Sequence, residues 1–275
     1  MATQLDTGTE HLLLRSEDGV AVLTMNRPES RNAMSGEMMA GFERVLPALE
    51  RDPDVGCIVV TGAGRAFCAG GDVKGMAARG GGGGGRAPSM EERIEGLRAN
   101  MRATSGALHE MGKPTLAVIP GPAAGAGFSL ALSCDLRIAA ESAFFTTAFA
   151  RVGFSGDFGG SYYLTQLVGT AKARELYFLA DRFDAKEAER LGIVNRVVAD
   201  AALEEEALAL ARRLAHGPRI ALRYMKENLN RAQREDARAC LDAEADGMIR
   251  TGMTEDHRNA ALAFVEKREP VFKGR

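Results

Sequence analysis

Two stretches of this chain constrain its fold more than any others. One is VVTGAGRAFCAGGD, Val59 to Asp72; the other is AVIPGPAAGAGFSL, Ala117 to Leu130. Each begins as an apolar run, crosses a series of small residues and leads toward a helical pattern. A strand, a glycine-rich turn and a helix, twice over, belong to an α/β architecture. Small residues let another group approach the main chain closely. Unpaired N–H groups at a helix start favour a negative oxygen. Three uses of such turns compete: a dinucleotide cradle, tight packing without chemistry, and a pair of amides converging on a carbonyl that becomes an oxyanion. Gly125-Ala126-Gly127 fits the dinucleotide fingerprint poorly. It lies mid-chain, and Glu141 comes too soon to be the acid expected about 20 residues on. That there are two turns rather than one favours the amide pair.

The rest of the chain fits the same class. Leu12 to Arg15 and Val20 to Met25 flank Glu17-Asp18-Gly19 and read as a hairpin. Ser35 is placed to cap a helix running to Glu50. Val55 to Thr61, Thr115 to Ile119 and Leu136 to Ala139 read as buried strands, with helical patterns between them and hence parallel pairing. After about Leu164 the strand signal fades, apart from Val194 to Val198. Leu203 to His216, Pro218 to Asn230, Arg234 to Arg250 and Thr254 to Lys267 read as helices. Pro218 suits a first helical turn, and Thr254 with Asp256 gives a start signal. The expectation is an α/β core over residues 1–200 and a helical region over 201–275. The amphipathic Arg250-to-Lys267 end reads, on pattern, as packed on its own core rather than serving an oligomer interface. The six glycines Gly80 to Gly85 lack the Lys-Ser/Thr of a phosphate loop and read as a flexible connector.

Composition excludes several functions. The 275 residues carry a formal net charge of −2 with both signs interspersed, so no basic block points to nucleic acid or a membrane surface. The apolar stretches are too short to span a bilayer, and the start lacks a signal-peptide pattern. Cys57, Cys68, Cys134 and Cys240 form no CxxC and no Cys/His cluster. That predicts reduced thiols, a cytoplasmic setting and no metal. Cys68 has no basic partner beside it and reads as a small buried hydrophobe. His11, His109, His216 and His257 show no triad context. Tyr162 and Tyr163 read as core or interface residues.

One acid stands out. In RVGFSGDFGGSYY, Asp157 has no basic residue within five positions on either side. A loop carboxylate is ordinarily solvated. Here Phe154, Phe158 and Tyr162 surround it in sequence, and an apolar setting raises a carboxylate's pKa.

Together these motifs resemble the crotonase, or enoyl-CoA hydratase/isomerase, superfamily over nearly the whole chain. VAVLTMNRPESRNAMS is similar to the family's N-terminal strand and turn, and the two glycine-rich turns to its oxyanion segments. ADRFDAKEAERLGIVNRVV and AFVEKREPVFK resemble its later landmarks. The resemblance implies a spiral of ββα units with a C-terminal helical trimerisation region, and an acyl-CoA thioester as substrate. It implies a homotrimer or a dimer of trimers, and no cofactor beyond the CoA moiety. It places the oxyanion donors at the N–H groups of Gly71 and Ala126, and the CoA passage at Ala69, Asp72 and Val73. Phe264 and Lys267 match positions that reach CoA from a neighbouring subunit. On pattern alone, Phe264 would belong to a packed core and Lys267 to a solvated face.

The chain departs from the family's hydratases, which add water with two glutamates. The matching positions here are Ser129 and Phe149. Neither exchanges a proton near neutral pH as Glu does. Asp157 instead matches a position that carries the working acid in isomerase branches and in an aromatic dehalogenase branch. The dehalogenase chemistry needs an indole, and the chain has no Trp. The expectation is an enoyl-CoA isomerase in which Asp157 shuttles a proton. The alternatives are a hydratase-type lyase with a non-standard site and a catalytically weak acyl-CoA-binding protein.

Overall fold

The computed structural model describes residues 3–72 and 88–275. Val73 and the glycine run Gly80 to Gly85 lie outside the described residues. Strands β1 (Thr3–Leu5), β2 (Leu12–Glu17) and β3 (Val20–Met25) pair antiparallel, with the predicted hairpin joining the last two. Helix α1 (Gly36–Arg51) follows; the Ser35 side chain accepts the Met38 N–H, as a cap should. Strand β4 (Cys57–Gly62) then pairs parallel with β3. After α2 (Met90–Met101), a π-helical turn Arg102–Gly106 and α3 (Ala107–Glu110), β5 (Thr115–Ile119) adds parallel to β4.

The second glycine-rich turn holds the two-residue strand β6 (Ala123–Ala124) and opens helix α4 (Ala126–Ser133), every residue of which is buried. Strand β7 (Leu136–Ala140) returns to the main sheet, and β8 (Phe144–Thr146) pairs with β6. Helix α5 (Gly160–Leu179) precedes β9 (Phe183–Asp184), α6 (Ala185–Arg190) and β10 (Arg196–Val198). The main sheet has seven strands in the order β1-β2-β3-β4-β5-β7-β10, and a second sheet runs β6-β8-β9.

One face of the main sheet, with Leu23, Ile58, Val60 and Ile119, joins a core with α1 and α4. Helix α7 (Leu203–Ala215) covers the other face, setting Leu203, Ala207, Ala211 and Ala215 against Val22, Val59 and Val118. The two glycine-rich turns leave this sheet from the ends of β4 and β5.

Helices α8 (Arg219–Ala232), α9 (Ala237–Gly252) and α10 (Glu255–Glu266) complete the chain. Lys226 is 7% exposed and ties α8 to the core. Its ammonium donates to Asp135 Oδ2 at 2.8 Å and to the carbonyls of Leu108 and Lys113 at 3.0 and 3.1 Å. A buried charge needs such partners.

Three expectations change. Pro218 is the cap residue of α8 rather than its first helical residue. Its φ of −72° suits either place. The next helix begins at Ala237 because Asp236, not Arg234, accepts the Ala239 N–H. The amphipathic C-terminal end does not bury its apolar side on its own core. Met248, Ile249, Met253, Leu262 and Val265 are exposed, and Phe264 is 85% exposed.

Candidate functional site

Asn32 fixes the first turn. It is fully buried with φ 57°; its amide donates to the carbonyls of Ala63 and Ala66 at 2.9 and 2.8 Å, and its Oδ1 accepts the Arg27 N–H at 2.9 Å. The Arg31 carbonyl takes the Ala69 N–H, and Met34 N–H donates to Gly70. The NRPESRNAM segment thus brackets the strand end that leads to Gly71.

The two turns are zipped together. Phe67 and Cys68 N–H groups donate to the Pro122 carbonyl, and the Ala124 N–H donates to the Cys68 carbonyl at 2.9 Å. This seam requires glycine. A Cβ on Gly127 would lie 2.5 Å from the Cys68 Cβ. Gly70 has φ 94°, and a Cβ there would fall 2.9 Å from the Ala124 carbonyl oxygen and 3.4 Å from the Ala126 nitrogen. The main chain preceding Gly71 therefore abuts the first residue of α4. Ala126 opens that helix, so its N–H has no partner within it. Neither the Gly71 nor the Ala126 amide is among the main-chain bonds that hold the turns together.

Asp157 lies in the loop before α5, half-buried, with its carbonyl accepting the Gly160 N–H at 3.1 Å. Its Oδ1 is buried without a hydrogen-bond partner. Burial pushes its carboxyl up to about 6. Its charge reaches Cys68 in the first turn and Tyr177 on α5; burial, with Asp157 adding to it, pushes both of those groups up to about 12. The acid thus stands beside the zipped turns. Its predicted surroundings hold only in part. Phe158 is buried, whereas Phe154 is 57% exposed and turned to solvent.

The rings beside Asp157 are Phe149 and Tyr177, stacked with centroids 6.0 Å apart and planes at 17°. A Cβ on neighbouring Gly156 would lie 3.1 Å from Tyr177 Cε1 and 3.7 Å from Phe149 Cδ2; one on Gly125 would lie 3.7 Å from Phe149 Cε1. The Phe149 ring therefore spans from the second turn to the Asp157 loop. The Tyr177 and Ser129 hydroxyls both face Gly160, where a Cβ would meet Ser129 Oγ and Tyr177 Oη alike. Tyr177 escapes sequence reasoning, because it follows Asp157 by most of a helix and sits in an apolar L-Y-F-L run.

The other predicted residues divide. Ala69 is exposed at the turn. Asp72 Oδ2 accepts from Arg27 Nη1 at 3.2 Å, beside the turn. Phe264 and Lys267 sit exposed on and just after α10. Cys68 is buried, and a thiol raised to about 12 is inert near neutral pH. Tyr163 donates to the Ser105 carbonyl at 3.4 Å and Tyr162 to Gln233 Oε1 at 2.8 Å. A cavity of about 420 Å³ lies under α7, lined by Leu14, Val22, Thr24, Val59 and Leu208. It shares no residue with the amide pair or Asp157. Among the described residues, no helix is long and apolar enough to cross a membrane.

Comparison with known proteins places the whole chain. The family model described as enoyl-CoA hydratase/isomerase matches residues 15–275. A 1,2-epoxyphenylacetyl-CoA isomerase of Escherichia coli is 37% identical over 97% of this chain and 99% of its own length. A short-chain-enoyl-CoA hydratase of Clostridium acetobutylicum is 33% identical over 96% of this chain and 98% of its own. The crystal structure of an enoyl-CoA hydratase from Polaromonas superposes with a TM-score of 0.86 at 34% identity, covering 95% of this chain and 99% of that one.

Proposed function

The chain belongs to the enoyl-CoA hydratase/isomerase family, and from that premise we propose that it is an isomerase that shifts a double bond in an acyl-CoA thioester with a single carboxylate. The observation that carries this reading is Asp157: a lone, half-buried acid with a pKa of about 6 and an unpartnered Oδ1. The family's two hydratase glutamate positions hold Ser129 and Phe149.

The N–H groups of Gly71 and Ala126 bind the thioester oxygen. As the Asp157 carboxylate removes a proton from the second acyl carbon, the electron pair of that C–H bond moves toward the thioester oxygen. The amides hold the resulting dienolate; losing one such donor typically raises a barrier by roughly 2.7–4 kcal/mol. The Asp157 carboxylic acid then returns the proton to the fourth carbon, and the double bond comes to rest between the second and third. The base ends as it began, so one group suffices. A pKa of about 6 leaves it ionised at neutral pH yet basic enough to work.

Hydration asks for more, since a water must be held and deprotonated while a second proton is delivered. Phe149 and Tyr177 fill the space beside Asp157 with stacked rings. The likeness to a 1,2-epoxyphenylacetyl-CoA isomerase extends the substrate class to acyl groups with a double bond in or beside a ring. In this reading Ala69 and Asp72 line the CoA passage. Phe264 and Lys267 reach the CoA of a neighbouring subunit in a trimer or dimer of trimers, which would cover the exposed apolar side of α9 and α10. No cofactor beyond the CoA of the substrate enters the chemistry.

Incubation with 3-enoyl-CoA and with 2-enoyl-CoA tests this reading. Interconversion of the two supports the isomerase. A 3-hydroxyacyl-CoA product supports the hydratase-type alternative. Binding of both without turnover supports a protein that only holds acyl-CoA.

A further inference from the structure

Arg137 is a buried charge that the proton shuttle does not use. It sits on β7 and is 4% exposed. Among the described residues, its guanidinium donates only to main-chain carbonyls. Nη1 donates to Cys134 at 2.5 Å and, more weakly, to Leu132 and Ala131 at 3.3 and 3.4 Å. Nε donates to Ile193 at 2.6 Å and Nη2 to Asp135 at 3.3 Å. Ala131 and Leu132 belong to the last turn of α4, and Cys134 is its cap. The nearby acid Asp135 gives its carboxylate to Lys226 and Thr115 instead. The guanidinium is therefore solvated by carbonyl dipoles, and arginine keeps its charge in such a place.

The other end of α4 is where Ala126 presents its N–H. A helix carries a partial positive charge at its N-terminus and a partial negative charge at its C-terminus. In a long helix the far end is remote. Helix α4 has eight residues, a span of about 12 Å. Its negative end therefore pulls against what its positive end offers a developing oxyanion. The helix itself supplies no remedy, since its last turn holds no basic residue. All of its residues are buried, where water screens charges weakly.

We propose that Arg137 is a positioning residue for the oxyanion: its guanidinium fixes the last turn of α4 and cancels the negative end of that helix, so that the Ala126 N–H meets the thioester oxygen as the tip of a net positive helix. This assignment rests on the oxyanion reading proposed above. A unit charge about 15 Å from that oxygen, at an effective dielectric constant of about 20, changes a rate about sixfold.

The test uses two pairs of variants. Arg137→Lys keeps the charge with fewer donors, and Arg137→Gln keeps a donor without the charge. Each leaves carbonyls short of partners and should lower the melting temperature. In the second pair the guanidinium stays. The Cys134 side chain lies within the field of Arg137, so Cys134→Asp sets a carboxylate against it, and Cys134→Asn has the same shape without the charge. The probe is a CoA thioester with an aryl-conjugated enoyl chromophore, whose absorption moves to longer wavelength as its carbonyl is polarised. The wild type, Arg137→Lys and Cys134→Asn are expected to show the same red shift on binding. Arg137→Gln and Cys134→Asp should show a smaller one, with kcat lowered about sixfold and KM changed by less than about twofold, as for an interaction felt mainly in the transition state. A purely structural role would group the two Arg137 variants together and leave Cys134→Asp equal to Cys134→Asn. That outcome overturns the proposal and leaves the oxyanion reading intact; if the Arg137 variants fail to fold, the Cys134 pair decides by itself. A wild type that binds the probe without a red shift overturns both.

Discussion

The rings of Phe149 and Tyr177 lie stacked, 6.0 Å apart and 17° from parallel, against the loop that carries Asp157. In the proposed reading Phe149 and Ser129 stand where the family's hydratases place glutamates, and the Tyr177 and Ser129 hydroxyls both face Gly160. With the Cys68 thiol and the Tyr177 phenol both near 12, Asp157 is left as the group in this cluster that titrates near neutral pH.

The first consequence is a pH profile. Asp157 must be ionised to accept a proton, and its carboxyl titrates at about 6. In this account log kcat/KM rises with unit slope below that value and is level above it. A profile level down to the ordinary range of an aspartate, near 4, would contradict the assignment.

The second concerns stability. The folded-state pKa of Asp157, about 6, lies above the ordinary aspartate value of 3.8. Between those two values the folded protein holds a proton that the unfolded chain has released. Stability therefore falls as pH rises through this window, and the full cost of the buried carboxylate is felt above it. Allowing for the solvent-facing part of the group, Asp157→Asn is predicted to gain about 1 kcal/mol near neutral pH and nothing below about pH 4. Urea unfolding at both pH values measures this. Equal stability of the two proteins near neutral pH would count against a strained carboxylate.

The third concerns the seam between the turns. In Gly127→Ala the new methyl meets the Cys68 Cβ at 2.5 Å, against backbone that is hydrogen-bonded on both sides. Overpacking of this kind costs about 1–3 kcal/mol. Because the amide pair would shift with the seam, kcat should fall along with the melting temperature. An unchanged melting temperature with full activity would show that the turns are not pressed together.

The fourth concerns assembly. Met248, Ile249, Met253, Leu262, Phe264 and Val265 are exposed on or beside α9 and α10, more apolar side chain than a solitary chain normally leaves in water. Ile249→Asp is predicted to convert a trimer or hexamer to monomers in sedimentation velocity. A wild type that sediments as a monomer would contradict the proposed assembly.

Much of the fold was legible in the sequence because its signals are local. The hairpin at Glu17-Asp18-Gly19, the Ser35 cap and the strand Thr115–Ile119 all stand where pattern and turn chemistry put them. The short strands β8 and β9 escaped, since three residues and two residues carry no period to read. The exposed face of α10 was misjudged because an amphipathic pattern shows that a face is apolar, not what covers it. Asp157 was legible as an acid out of place. Its true setting was not, because the stack beside it comes from Phe149, just upstream of the loop, and Tyr177, well along α5. The Asn32 network was likewise hidden: its partners, Ala63 and Ala66, offer only backbone carbonyls.

The most direct test of the account is the turnover of 3-enoyl-CoA by Asp157→Asn beside the wild type, with thioester binding measured on both. The account predicts that the wild type forms 2-enoyl-CoA without 3-hydroxyacyl-CoA, and that the variant binds thioester about as well but turns over at least about a hundredfold more slowly. A variant that isomerises at close to the wild-type rate, or a wild type whose main product is 3-hydroxyacyl-CoA, would contradict it.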